Sequence, residues 1–229
     1  MTSRLILSQR STLPLFAALV LASALSTLLV VARVLHTGRL TYAFLVYNLV
    51  LAWIPLALAV AADSFDRSPS GSRSRVSATA LALLGWLAFL PNAPYLITDM
   101  KHLRAENNPL FWLDLTTMQA FAWTGLALGF ASLSVAQRVV ARRMGRVVSW
   151  LFAAVVLVAC AIGVYLGRFH RWNSWDLLLD PMGILGDVAL TLRHPLANAH
   201  AVAYCAVLVA FLLSAYLVVQ AWAGAHEDR

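Results

Sequence analysis

Six stretches of this sequence run for about 20 residues or more without an Asp, Glu, Lys or Arg: Leu13–Ala32, Leu40–Ala62, Val76–Thr98, Leu115–Gln137, Val147–Gly167 and Ala201–Ala223. As helices rising 1.5 Å per residue, each is about long enough to cross a ~30 Å hydrocarbon core. In lipid the backbone has to satisfy its own polar groups, so a lone apolar stretch of this length has to be helical. Only 12% of the 229 residues are charged and 61% are hydrophobic, where a soluble domain carries about 25% charged residues. The expectation is all-α: one polytopic transmembrane domain over residues 1–229, a bundle of about six transmembrane helices. Leu13–Ala32 is longer than the 7–15-residue apolar region of a signal peptide, so it is read as a retained helix.

The third stretch is unlike the others. It reads VSATALALLGWLAFLPNAPYLIT, and its unbroken part, Val76 to Leu90, would rise only about 22 Å as a helix. Proline has no N–H and clashes with the carbonyl four residues back. Pro91 and Pro94 are therefore expected to free the carbonyls of Leu87 and Leu90 near one membrane face. Two readings fit. One is a plain helix end at the interface. The other is a cavity lined by Asn92, Tyr95 and Thr98, because orphan carbonyls survive at membrane depth only against protein or water. Asp99 and His102 follow three residues apart and share a face if the chain from Leu96 is helical.

Orientation follows from Lys and Arg counts. Arg4, Arg10, Arg67, Arg73, Arg75, Arg138, Arg142, Arg143, Arg146 and Arg229 fall on one side. Arg33, Arg39, Lys101, Arg104, Arg168, Arg171 and Arg193 fall on the other. Both termini are then cytoplasmic, in a cell inner (plasma) membrane. The loop DSFDRSPSGSRSR is polar and Ser-rich, as flexible linkers are. The formal net charge of +7 suits anionic headgroups. No basic stripe with interleaved aromatics argues for nucleic acid, and none is expected as a partner. Cys160 and Cys205 sit inside apolar runs, so no disulfide is expected. Gly125-x-x-x-Gly129 and Gly163-x-x-x-Gly167 allow close helix contact, within one chain rather than between two.

Polar chemistry gathers in the loops after the third and fifth spans. They hold Asp99, Glu106, Asp114, Asp176, Asp180 and Asp187, with His102, His170, His194 and His200, while the opposite side is mostly arginine. Asp114 opens the fourth span. It either answers the positive helix N-terminus or binds substrate, since an ionisable group at that depth needs a partner. In RFHRWNSWDL, Arg168, His170 and Arg171 suit an anion. Asn173 or Ser174 could cap a short helix containing Asp176 that stops before Pro181. The competing reading is an interfacial segment with Arg snorkelling and Trp175 at headgroup level. Gly183–Arg193 reads as a helix lying on the membrane surface before the last span. The histidines with Asp99 or Asp176 are suitable divalent-metal ligands by type, but no ligand-spaced motif is present, so a metal stays an open possibility. No GxSxG, P-loop or GxGxxG occurs.

At PNAPYLITD and RFHRWNSWD the chain resembles a bacterial family of multi-spanning membrane proteins known only as a domain of unknown function, family 1361. The motifs here are Pro91 to Tyr95 with Thr98 and Asp99, and Arg171 to Asp176. The resemblance runs from about the second span to the sixth and implies a polytopic inner-membrane protein. It carries no activity with it.

From the residues, the leading function is an enzyme acting on a lipid or lipid-linked anionic substrate at the extracytoplasmic face. Asp99, His102, Asp176 and His170 are the expected catalytic groups. Asn92, Tyr95, Thr98, Asp114, Arg168, Arg171, Asn173 and Trp175 are the expected substrate-binding groups. The alternatives are a transporter or permease component and a non-catalytic partner of an envelope complex. Asp114 is the one charge near the membrane interior and no span is expected to hold a buried Lys, Arg or central carboxylate, which counts against a proton-coupled carrier.

Overall fold

A computed structural model describes residues 12–68, 73–103, 109–194 and 196–227. Residues 69–72 of the Ser-rich loop, with Arg4, Arg10, Arg104, Glu106 and Arg229, lie outside the described residues. All described regular structure is helical. Helices α1 (Thr12–Thr37), α2 (Ala43–Arg67) and α3 (Arg73–Phe89) come first. A short α4 (Asn92–Tyr95) leads into a 3-10 segment (Leu96–His102), and α5 (Phe111–Met144) follows. Helix α6 (Arg146–Tyr165) ends in a π-type turn (Leu166–His170), then come α7 (Asp176–Leu179), α8 (Pro181–Arg193) and α9 (Ala199–Glu227).

Six segments are long and apolar enough to cross a membrane: Leu13–Thr37, Ala43–Arg67, Arg73–His102, Phe111–Met144, Arg146–His170 and Ala199–Ala225. The protein is an all-α, multi-pass membrane protein. Many large apolar side chains stay exposed on these helices, Leu21, Val50, Leu81, Leu151 and Val218 among them, as a lipid-facing surface requires. Helix α8, at 13 residues, would reach only about 20 Å and is too short to cross.

The described residues divide into two compact units, one ending at Val135 and one running from Ala136 onward. In the first, α2 packs on α3, α4 and the 3-10 segment. Trp53, deep in α2, is explained by its partners: its indole N–H donates to Ser23 Oγ at 3.1 Å, and its ring meets Phe16 edge-on. Trp86 donates likewise to Ser132 Oγ at 3.2 Å. In the second unit α6 packs on α9, and Tyr216 donates its hydroxyl to Gln137 Oε1 at 2.6 Å. Gly145, with φ of 86°, makes the one-residue joint between α5 and α6, a backbone shape that costs glycine little.

Gly125 and Gly129 are used inside the first unit. A Cβ at Gly125 would run into the Ala93 carbonyl oxygen and lie 2.6 Å from Leu96 Cδ1, and one at Gly129 would lie 3.1 Å from Ala93 Cβ. The glycine stripe on α5 is the groove that receives the proline-broken turn.

Candidate functional site

The break in the third span closes on itself. Helix α3 ends where the Leu90 amide bonds the Trp86 carbonyl at 2.8 Å. The Leu90 carbonyl, expected to be freed by Pro94, accepts the Ala93 amide at 3.1 Å. Asn92 donates Nδ2–H to the Phe89 carbonyl at 2.9 Å, and Thr98 donates its hydroxyl to the Tyr95 carbonyl at 2.6 Å. Two of the three side chains expected to line a cavity thus serve the backbone of the turn itself. Tyr95 is half-buried.

A 3-10 helix has three residues per turn, so Asp99 and His102 fall on one side of it. That side meets Phe44 and Asn48, one turn apart on α2. Asn48 Nδ2 donates to Asp99 Oδ2 at 2.9 Å, and the His102 and Phe44 rings meet at 5.0 Å between centroids. Asp99 is buried and His102 is exposed. Asn48 was not legible as a partner, because it sits in an apolar run with nothing nearby to mark it.

Asp114 is fully buried, and both of its oxygens are engaged. Arg33 Nε donates to Oδ1 at 2.5 Å and Nη2 to Oδ2 at 3.1 Å. Tyr42 donates its hydroxyl to Oδ2 at 3.3 Å, and the Arg33 guanidinium lies 4.3 Å over the Tyr42 ring. Arg33 is therefore not a loop residue. Helix α1 continues past the expected end at Ala32 to Thr37 and carries Arg33 inside. Ending a span at its first charge fails when that charge has a buried counter-ion.

In the second unit the polar groups converge on a residue that sequence reasoning did not single out as a site residue. Asp187 stands on α8. Trp172 Nε1–H donates to its Oδ2 at 2.7 Å, and His170 Nδ1 lies 2.8 Å from the same oxygen. These two donors, Trp172 first, hold the Asp187 carboxyl below the usual carboxylate range. An ionised carboxylate only accepts, so His170 carries its proton on Nδ1. Its Nε2 is then a lone-pair acceptor, 3.4 Å from the Tyr165 hydroxyl. Between His170 and Trp172, Arg171 adopts a left-handed backbone with φ of 63°. The π-type turn closes as the Leu166 carbonyl accepts both the Arg171 amide and, at 3.3 Å, the Trp172 amide. This reversal lets residues two apart grip one oxygen. The signal available in sequence was Asp187 itself, a lone acid in the apolar run Gly183–Leu192.

The remaining expected residues are accounted for locally. Helix α7 contains Asp176 and stops before Pro181, as expected, but Trp175 precedes its first residue, so neither Asn173 nor Ser174 is its N-cap. Asp176 Oδ2 accepts from the Asn173 amide at 2.7 Å and Asn173 Nδ2 at 3.2 Å, which closes the turn ahead of the helix. Asp180 caps α8 by accepting from the Gly183 amide at 2.9 Å, with Pro181 in the first turn. Trp175 is exposed. Arg168 is half-buried and Arg171 exposed. Among the described residues no three His, Cys, Asp or Glu side chains converge as a metal site would require.

No curated protein and no solved structure matches the chain. The family described as Protein of unknown function (DUF1361) matches residues 47–216. That span begins after Arg33 and Tyr42 and contains Asn48, Asp99, Asp114, His170 and Asp187. With most of its length matched, the chain belongs to the DUF1361 family.

Proposed function

We propose that the protein is an enzyme of the bacterial inner membrane acting on a lipid or lipid-linked anionic substrate, with His170 as its acid–base group. The observation that carries this reading is the Asp187–His170 pair at 2.8 Å. A carboxylate that fixes one ring nitrogen leaves the other oriented as a base and stabilises the imidazolium that forms. Nε2 would take a proton from an attacking hydroxyl, then return it to the oxygen leaving phosphorus. Tyr165 meets Nε2 at 3.4 Å, a long contact that a substrate hydroxyl would replace. Arg168 and Arg171 flank the histidine and suit a phosphate. The Lys and Arg count favours termini in the cytoplasm and this segment on the outer face.

A transport reading would lean on Asp114, where Arg33 already neutralises the charge. Asp99, His102 and Asp176 are kept as secondary candidates, since each has a structural partner of its own.

The test is lipid mass spectrometry of nanodiscs made from bacterial polar lipid extract, incubated with the purified protein or its His170→Ala variant. The expected result is time-dependent conversion of one lipid class by the wild type, slowed about 10²–10⁴-fold by the substitution. Lipid profiles identical to protein-free discs, or equal turnover by the variant, would overturn the reading.

A further inference from the structure

We infer that Trp172 is a positioning residue for the proposed reaction: its indole N–H holds the Asp187 carboxylate still, so that the carboxylate keeps the His170 proton on Nδ1 and a lone pair on Nε2. The inference deepens the reading above and rests on it.

A base at Nε2 exists only in the Nδ1–H tautomer, and the neighbour of Nδ1 decides which tautomer forms. Here that neighbour is Asp187 Oδ2, 2.8 Å away. The pair lies near the surface, with side chains 30% and 34% exposed. An exposed pair contributes little on its own, because water competes and two side chains have to be ordered. Left to itself, the carboxylate would turn about its Cβ–Cγ bond and spend time on water. His170 would then lose the acceptor that fixes its proton.

Trp172 supplies the missing restraint in two ways. Its Nε1–H donates to the same Oδ2 at 2.7 Å. An indole N–H is a donor only, and a hydrogen bond to an ionised oxygen is about twice as strong as one to a neutral group. The indole is also seated on the helix that carries the acid. A Cβ at Gly183 would lie 3.0 Å from Trp172 Cη2, so the far edge of the ring lies against bare backbone. Gly183 and Asp187 are four residues apart on α8 and share a face. The ring therefore spans one helical turn, with one edge at Gly183 and its N–H on Asp187. Sharing an oxygen weakens each of the two bonds a little. A carboxylate that is free to turn costs the His170 bond its occupancy, and at an exposed site that loss is the larger.

The experiment uses the purified full chain in nanodiscs, with isotope-labelled histidine. The His170 ring signals are assigned by their loss in His170→Ala. The tautomer is read by nitrogen NMR at a pH where those signals no longer shift, so that the ring is neutral. The wild type is compared with Trp172→Phe and with a protein carrying benzothienylalanine in place of Trp172, which keeps the bicyclic shape and has sulfur where indole has N–H. The wild-type ring is expected to be mainly Nδ1–H. Either replacement should raise the ratio of Nε2–H to Nδ1–H by at least ~5-fold, the worth of about one hydrogen bond. It should also lower kcat for lipid conversion in proportion to the Nδ1–H form lost, with KM unchanged, because Trp172 bonds the acid and not the reacting nitrogen. Trp172→Phe leaves the ring space partly empty. If it fails to fold, the shape-matched analogue carries the test. The inference is overturned if the folded analogue protein keeps or increases its Nδ1–H share, or if the wild-type ring is protonated mainly on Nε2. The tautomer is read without turnover. Unchanged ratios with lipid conversion intact would sink this inference and spare the proposed function, whereas shifted ratios in a protein that converts no lipid would do the reverse.

Discussion

Arg33 on α1 holds Asp114 at the start of α5 through two hydrogen bonds, 81 residues apart in sequence. The pair is buried, and Tyr42 contributes both a hydroxyl donor and a ring face. Removing one member leaves the other charge buried without its partner, which typically costs about 3–5 kcal/mol. Arg33→Ala and Asp114→Ala should each lower the melting temperature in detergent sharply. The double variant Arg33→Met, Asp114→Leu should recover much of the loss, since an apolar pair of similar volume carries no uncompensated charge. Single variants that melt like the wild type would show that the pair is open to water.

Gly125 should tolerate no side chain. A methyl group there meets the Ala93 carbonyl and Leu96, and overpacking a close-packed contact costs about 1–3 kcal/mol. Gly85 is the control, since its Cβ would lie 3.5 Å from Leu58 Cδ1, ordinary contact. Gly85→Ala should be neutral or stabilising, because alanine is the better helix former by roughly 1 kcal/mol. Thermal unfolding of the two variants side by side reads the difference. Equal melting temperatures would mean that the broken turn and α5 are not in close contact.

The six spans were legible because charge-free length is a signal carried along one dimension. The break at Pro91 was legible for the same local reason. The roles of Asn92 and Thr98 were within reach, because side chains that bond a carbonyl three residues back are a local habit of Asn and Thr. What stayed hidden depends on contact across the chain. Nothing around Arg33 announces Asp114. Nothing in RFHRW announces that His170 and Trp172 turn toward one acid on α8, since a left-handed arginine leaves no mark in the pattern. The expected residues included His170 and did not include Asp187, the acid that its Nδ1 meets.

Asp187 makes the second unit sensitive to acid. Its folded pKa lies below the unfolded carboxylate value, because Trp172 and His170 hydrogen-bond the charged form. The stabilisation is present above the unfolded value of about 3.9. It is lost as pH falls through the lower folded value, where the native carboxylate takes up its proton. The Trp172 indole N–H resonance reads this directly and should shift only at the acid end. Asp187→Asn should flatten the curve. A Trp172 signal that stays constant through the acid range in the wild type would mean that the indole does not bond the carboxylate.

Asn48 and Asp99 should prove to be a packing pair. Asn48→Leu takes a donor from a buried carboxylate oxygen, and a buried polar atom left without its partner costs about 1–3 kcal/mol. Asp99→Leu similarly strands the Asn48 amide. The double variant removes both polar groups, so its loss of stability should be smaller than the sum of the two single losses, the mark of direct coupling. His102→Ala removes an exposed ring that meets Phe44 edge-on, and an aromatic pair is worth about 0.5–1.5 kcal/mol. A folded double variant that keeps lipid turnover would confine the chemistry to the His170 cluster. A folded double variant that has lost turnover would return Asp99 to the catalytic set.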